Sequence, residues 1–332
     1  MPDQIPQKMS AQCAPRSGGP EVFEKREVPV PQPSSAQLLV RTEATGVNFI
    51  ETYQRSGVYD VEYPFIPGSE AVGTVVHAGS ATTHAKVGDR IATSTARQTY
   101  AEYFVVEDER AVTLPEGLDP REAACLPLQG VTAHYLVRST YPVSASDTVL
   151  FHAGAGGVGG LAVQMMKNLG ATVIATVSTD EKESIARAHG ADHVVRYEGF
   201  GAAVRELTDG RGVDVVYDSV GRTTFEESLS TLKPRGMAVL FGGASGQVPP
   251  FDLQRLNSLG SLFVTRPSIG DYLRDRRELE WRMNDLFEDV LAGRLKTSLD
   301  TTFLLEEATE AHRYLEARKT RGKVLLVPDS LG

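Results

Sequence analysis

The chain has 332 residues, a length that favours two domains over one, and its 41% hydrophobic and 23% charged residues describe an ordinary globular protein with ample core. A net charge of −9 argues against nucleic acid or an anionic membrane as the main partner. No apolar run is long enough to span a bilayer.

The start, MPDQIPQKMSAQC, lacks the basic-then-apolar pattern of a signal peptide, and residues before about Met9 read as a loose extension. From Gln37 to about Leu126 the texture is β-rich and shows no helical periodicity. Leu38–Thr45, Ala71–His77 and Tyr103–Val106 are strand-like runs broken by Gly, Pro and Asp. Arg121–Leu126 and Val131–Arg138 then read as helices. Strands are expected at Thr148–Phe151, Thr172–Val177, His193–Val195, Val213–Tyr217, Ala238–Phe241 and Leu262–Val264. Helices are expected at about Glu181–Ala188, Phe200–Leu207, Thr224–Leu232 and Leu253–Leu259. This alternation predicts an α/β architecture whose nucleotide domain is a doubly wound, six-stranded parallel sheet of the Rossmann kind. A long helix over Asp271–Leu291 follows, then strands at Phe303–Leu305 and Val324–Val327 flanking a helix at Glu307–Ala317. Those last strands have no crossover partner in a six-stranded sheet, so they are expected to return to the N-terminal β domain. The domain expectation is 1–128 with 268–332, and 129–267. Cys13 and Cys125 give neither a disulfide framework nor a thiolate zinc cluster, which suits a reducing cytoplasm.

The organising stretch is Asp147–Gly170. A short β-branched strand leads into Gly154-Ala155-Gly156-Gly157-Val158-Gly159, which fits G-x-G-x-x-G, and then into a helix with apolar residues at Val158, Leu161, Ala162, Met165, Met166 and Leu169. Glycines in this pattern allow a tight turn, a close approach to a pyrophosphate and close helix–strand packing, and the helix N-terminus offers N–H groups to phosphate. A P-loop would need Lys-Ser or Lys-Thr after the last glycine, where this chain has Gly160-Leu161. Gly170 is a candidate helix C-cap. At the end of the second strand an NAD-preferring fold places an acidic residue, whereas this chain has the neutral Ser178. Lys182 follows one helical turn later. It reads either as a phosphate partner or as a solvated helix residue beside Asp180 and Glu181, and the set favours NADPH over NADH. Ser219 follows the fourth strand, a position that fits beside the adenosine. Phe241-Gly242-Gly243 and Val264-Thr265-Arg266 follow later parallel strands, where nucleotide sites form.

The order of a β domain, an inserted Rossmann domain and a C-terminal return resembles the medium-chain dehydrogenase/reductase superfamily, whose β domain is GroES-like. Gly46–Tyr53, Arg55–Tyr59, His152–Gly159, Tyr217–Gly221 and Val264–Ser268 resemble the zinc-free NADPH:quinone oxidoreductases within it. That resemblance implies that Asn48, Tyr53 and Tyr59 line the substrate side of the nicotinamide, where an amide or hydroxyl could stabilise an oxyanion on a quinone. For the two tyrosines, aromatic packing is the other reading. It also implies that Lys182 and Tyr197 contact the 2′-phosphate, that Phe241, Gly242, Val264 and Arg266 meet the nicotinamide half, and that Arg318 reaches the cofactor. A solvated last-turn arginine is the other reading of Arg318. Zinc-dependent relatives carry a cysteine at Asn48, a histidine at Ser69 and a cysteine near Gln129, so the chain reads as metal-free. Close relatives often have Lys-Gly at Gln129-Gly130, so that lysine's charge is missing here.

Three functions remain open: an NADPH-dependent quinone reductase, an NADPH-dependent enone or enoyl (C=C) reductase, and a weakly catalytic NADPH-binding structural or RNA-binding protein. The acidic balance and the lack of a basic–aromatic stripe count against the last. A homodimer is expected, because the last Rossmann strand would otherwise leave an exposed edge.

Overall fold

Residues 5–317 and 319–329 are described by the computed structural model. The chain divides into one unit of Met1–Leu128, Asp275–Leu291 and Thr297–Gly332, and a second of Gln129–Arg274 and Ala292–Lys296.

The first unit opens on an antiparallel pair, β1 (Lys8–Cys13) and β2 (Glu24–Pro29). The expectation of a loose extension up to about Met9 is corrected: Lys8 begins β1, and Ile5 packs against a cluster of Met9, Ala11, Val30, Leu39 and Ala101. KMSAQC has no β-branched residue, so its strand state comes from the partner strand rather than from local propensity. Then follow β3 (Gln37–Val47), α1 (Phe49–Ser56), β4 (Ala71–Ala78), β5 (Arg90–Thr93), β6 (Tyr103–Glu107), β7 (Val112–Thr113) and the short α2 (Pro120–Ala123). The helix α1 corrects the reading of this region as purely β. Its signals are local. Asn48 takes extended N-cap geometry, and the Glu51 carboxyl accepts the Asn48 backbone N–H at 2.9 Å. Gly57, at φ 80°, provides a left-handed C-cap.

In the second unit α3 (Gln129–Tyr135) runs into a wider π-type turn at Leu136–Thr140. The expected Val131–Arg138 helix therefore starts earlier and loses its α pitch sooner. Next come β8 (Thr148–Phe151), α4 (Gly157–Asn168), β9 (Thr172–Val177), α5 (Asp180–Ala188), β10 (His193–Arg196), α6 (Phe200–Leu207), β11 (Val213–Asp218), α7 (Phe225–Thr231), β12 (Leu232–Leu240), α8 (Gln254–Ser258) and β13 (Phe263–Thr265). All six strands pair in parallel in the order β10-β9-β8-β11-β12-β13. Leu150, Ile174, Val213 and Val216 of the sheet meet Val204, Phe225 and Leu229 of the helices in one buried cluster. The strand order reverses at β8, and open α/β sheets form their ligand crevice outside the carboxyl ends of the strands at such a point.

The chain then re-enters the first unit through α9 (Arg276–Leu291), β14 (Leu299–Leu304), α10 (Ala308–Glu316) and β15 (Lys323–Val327). As expected, the last two strands join the N-terminal β sheet, which runs β14-β15-β3-β4-β5-β7 with β6 also on β3. Leu305, Ala308, Ala311 and Leu315 pack with Val22, Phe23, Val47, Tyr100 and Leu326, so residues from both ends of the chain share one core.

Candidate active site

Gly154, Ala155, Gly156, Gly157, Val158 and Gly159 carry the chain from the end of β8 into α4. The left-handed residue of the turn is Ala153, at φ 57°, not a glycine. The glycines are there for space. A Cβ at Gly154 would lie 2.6 Å from Ala175 Cβ, and one at Gly159 would overlap the Ala153 carbonyl oxygen and stand 2.9 Å from Gly154 Cα. Gly156 differs: its Cβ would meet only the Ala153 oxygen, at 3.2 Å. The fold itself barely needs that glycine, and what its hydrogen leaves open is an approach to the N-terminus of α4. The first-turn N–H groups of a helix lack internal partners, so this cradle fits a phosphate. Beside it, buried His152 places Nδ1 2.9 Å from Thr176 Oγ1 and Nε2 2.8 Å from Ser228 Oγ. Burial lowers its pKa to about 4, so the ring is a neutral strut linking β8, β9 and α7.

Ser178 is exposed just past β9, and the Thr179 hydroxyl caps α5 by accepting the Lys182 backbone N–H at 3.2 Å. The Tyr197 ring stacks near His152 with centroids 6.0 Å apart. Sequence reasoning missed Arg196 here. Its guanidinium pairs with Asp180 and, at 2.9 Å, with Glu183, and donates to the Thr179 carbonyl at 2.9 Å. It offsets the acidic residues that weaken the field around Lys182; its place directly before Tyr197 was the available signal.

Ser219 and Phe241-Gly242 are brought together at the carboxyl ends of β11 and β12. Buried Asp218 accepts the backbone N–H groups of Val220 and Gly221 at 2.8 and 2.9 Å and the Thr224 hydroxyl. Phe241 N–H donates to the Asp218 carbonyl at 2.9 Å, and a Cβ on Gly242 would stand 2.5 Å from the Ser219 oxygen. Val264, paired with Ala238, and exposed Arg266 follow on and just beyond β13. Arg318 lies outside the described residues.

In the first unit, Asn48 caps α1, with Tyr53 half-buried on that helix and Tyr59 exposed just beyond it. The Tyr53 and Tyr59 rings meet edge to face at 5.6 Å, the Phe49 ring lies 6.4 Å from that of Tyr53, and Phe49, Ile50 and Val58 are exposed, so α1 and the residues just after it expose apolar and aromatic side chains. Behind Asn48 lies a fully buried ion pair, Lys323 with Glu70, whose partnership sequence reasoning also missed. Lys323 Nζ also donates to Asn48 Oδ1 at 2.8 Å, and Asn48 Nδ2 donates to Glu70 Oε2 at 3.0 Å. Glu70 Oε1 accepts the Leu128 backbone N–H at 2.7 Å. No local pattern joins positions 70 and 323; the pairing of β3 with both β15 and β4, which Glu70 directly precedes, does.

Glu51 is buried next to this group, and burial raises its carboxyl to about 8, with Lys323 acting in the opposite direction. Between its ordinary value near 4.5 and about 8, the folded state holds a proton that the unfolded chain has released. Stability should therefore fall as pH rises through that window, by up to about 1.4 kcal/mol per pH unit. Glu51→Gln should flatten the dependence, measured as urea-unfolding midpoints across that window. Cys125 is likewise buried and its thiol pushed up to about 12, which fits a core residue and not a nucleophile.

Residues 34–144 match the alcohol dehydrogenase GroES-like domain, and residues 157–285 match the domain described as zinc-binding dehydrogenase. Zinc does not fit the residues present. Asn48 turns its oxygen to an ammonium, Ser69 stands at the histidine position, and among the described residues no group of three or more His, Cys, Asp or Glu could hold a metal. A quinone oxidoreductase of Pseudomonas aeruginosa is 44% identical over 94% of this chain and 97% of its own length. A 2-haloacrylate reductase of a Burkholderia species is 41% identical over 95% of this chain and 98% of its own. A mycobacterial protein solved in complex with NADPH superposes with a TM-score of 0.94 at 45% identity, covering 96% of this chain and all of its own. Matched in both domains and over nearly its whole length, the chain belongs to the zinc-free quinone oxidoreductase branch of the medium-chain dehydrogenase/reductase superfamily.

Proposed function

We propose that this chain is an NADPH:quinone oxidoreductase working on small quinones without a metal. The observation that carries the reading is the phosphate cradle at Gly154–Gly159, in a chain so close to quinone oxidoreductases. NADPH, when bound, supplies the hydride. Residues 129–267 form the NADPH-binding domain in this reading, and 1–128 with 268–332 the catalytic one. The α4 N-terminus holds the pyrophosphate. Ser178, Lys182 and Tyr197 take the 2′-phosphate, and Ser219 takes the adenosine side. Phe241, Gly242, Val264 and Arg266 take the nicotinamide half, and Arg318 reaches the cofactor. Asn48 donates a hydrogen bond to the quinone oxygen that gains charge, and Tyr53 and Tyr59 supply an apolar wall that excludes water.

The test is the loss of NADPH absorbance with 1,4-benzoquinone, repeated with NADH and then with an enone. Fast, NADPH-selective turnover of the quinone is expected. Turnover of the enone alone would replace this reading by C=C reduction, the chemistry suggested by the name of the Burkholderia relative. NADPH binding with no turnover of either would leave a binding protein. Lys182→Ala should raise the KM for NADPH about tenfold, the scale of one lost charge-assisted bond, and leave that for NADH nearly unchanged.

The protein is also proposed to be a homodimer of the reducing cytoplasm. Its two cysteines are free and buried, and β13 is an edge strand whose Phe263 and Val264 are 56% and 37% exposed. A monomer in sedimentation at micromolar concentration would overturn the dimer. Among the described residues no helix is long and apolar enough to cross a membrane.

A further inference from the structure

We propose that Lys323 and Glu70 are positioning residues that lock the Asn48 side chain in one of its two amide orientations, so that it can offer a substrate only an N–H and not its oxygen. The inference rests on the reading of Asn48 as the residue that meets the quinone oxygen.

Amide oxygen and nitrogen are nearly alike in shape, so an Asn in a hydrogen-bonding site can present either. Here the partners decide. An ammonium only donates, so the Asn48 atom 2.8 Å from Lys323 Nζ must be Oδ1. A carboxylate only accepts, so the atom 3.0 Å from Glu70 Oε2 must be Nδ2. Turning the amide over would set an N–H against an ammonium and an oxygen against a carboxylate, both repulsive and both desolvated, since Lys323 and Glu70 are fully buried. With Oδ1 on the ammonium and one N–H on the carboxylate, the group left to offer is the second N–H of Nδ2.

The clamp is itself held from every side. Glu70 Oε1 takes the Leu128 N–H at 2.7 Å, and the Glu70 carbonyl accepts from Thr45 Oγ1 at 2.8 Å and from Thr99 Oγ1 at 3.3 Å. Gly46 leaves the space in which the pair sits, because a Cβ there would overlap the Glu70 carboxylate. A donor fixed in this way meets a developing oxyanion without reorganising, which is what transition-state stabilisation requires. A substrate whose reacting group can only donate at that position finds no acceptor.

The test is a cycle of variants assayed with NADPH and 1,4-benzoquinone. In Glu70→Gln/Lys323→Met the charges leave together, and the side-chain amide introduced by Glu70→Gln can either donate to or accept from Asn48, so both orientations of Asn48 become allowed. We expect kcat/KM to fall about tenfold, as when the donating orientation drops to about a tenth of the molecules once no ammonium holds Oδ1, with the NADPH Kd, read by fluorescence titration, unchanged. Asn48→Ala alone should cost about a hundredfold. In the Asn48→Ala background the double change should cost nothing further, because its effect passes through Asn48. The same tenfold loss in that background would overturn the clamp and leave the reading of Asn48 standing. An Asn48→Ala enzyme as active as the parent would overturn that reading, and the clamp with it.

Discussion

Gly46→Ala should destabilise the first unit by about 3–5 kcal/mol, the scale of breaking a buried ion pair from one side. Gly46 lies in β3 opposite Leu325 of β15, in ordinary extended backbone, so no unusual dihedral is at stake. What is at stake is a single methyl group. Its carbon would overlap the Glu70 carboxylate and crowd the Lys323 ammonium, and neither can swing aside into solvent because both are fully buried. Either the sheet separates or the pair does, and separated charges in a dry interior keep their desolvation cost without their mutual attraction. The comparison is Glu70→Gln/Lys323→Met carrying the same Gly46→Ala change. Urea unfolding should show the alanine costing far less there, since no charges remain to be parted. An equal cost in both backgrounds would mean that the steric term alone decides.

Gly159→Ala should abolish measurable NADPH binding in titrations where the parent saturates, and cost about 1–3 kcal/mol of stability by overpacking. The added carbon would strike backbone atoms, the Ala153 carbonyl and Gly154 Cα, so the turn itself has to shift, and with it the N–H groups of α4 to which the proposed function gives the pyrophosphate. Gly157→Ala, two residues earlier, is the control. There the clash is with the end of the Gln129 side chain, which can rotate away, so binding should weaken only a few-fold. Equal losses at the two positions would assign the effect to helix entry in general rather than to the Ala153–Gly154 approach.

The second unit was legible because its signals are local. β8 and β9 end where the sequence pattern places them, and Gly170 closes α4 at φ 87° with its N–H on the Lys167 carbonyl. The misses have two physical origins. For α1 the signals were present, since Asn48, Glu51 and Gly57 spell a helix start and stop, but a β-rich neighbourhood masked an eight-residue element. For β1 there was no such signal, because the strand state of KMSAQC comes from pairing with β2. At the site, the residue types at Asn48, Tyr53 and Tyr59 could be noticed from the chain alone. The ionic partnership behind Asn48 could not, because it joins positions far apart in the chain through a sheet that only the fold assembles. Arg196 falls between these cases: its position was visible, but its pairing with Asp180 and Glu183 was not.

The placement of β15 has a consequence for synthesis. This strand lies between β14 and β3, not at an edge, and its first residue is the cation that faces Glu70. During translation the β8–β13 sheet has all its strands while residues 323–327 are still unmade, so the second unit has the chance to form first. Over the same interval β3 lacks a neighbour and Glu70 lacks its counter-charge, so the first-made part of the chain is among the last to reach its final state. The nascent protein thus passes through a stage with an open strand flank and an uncompensated acid, the kind of intermediate on which chaperones act.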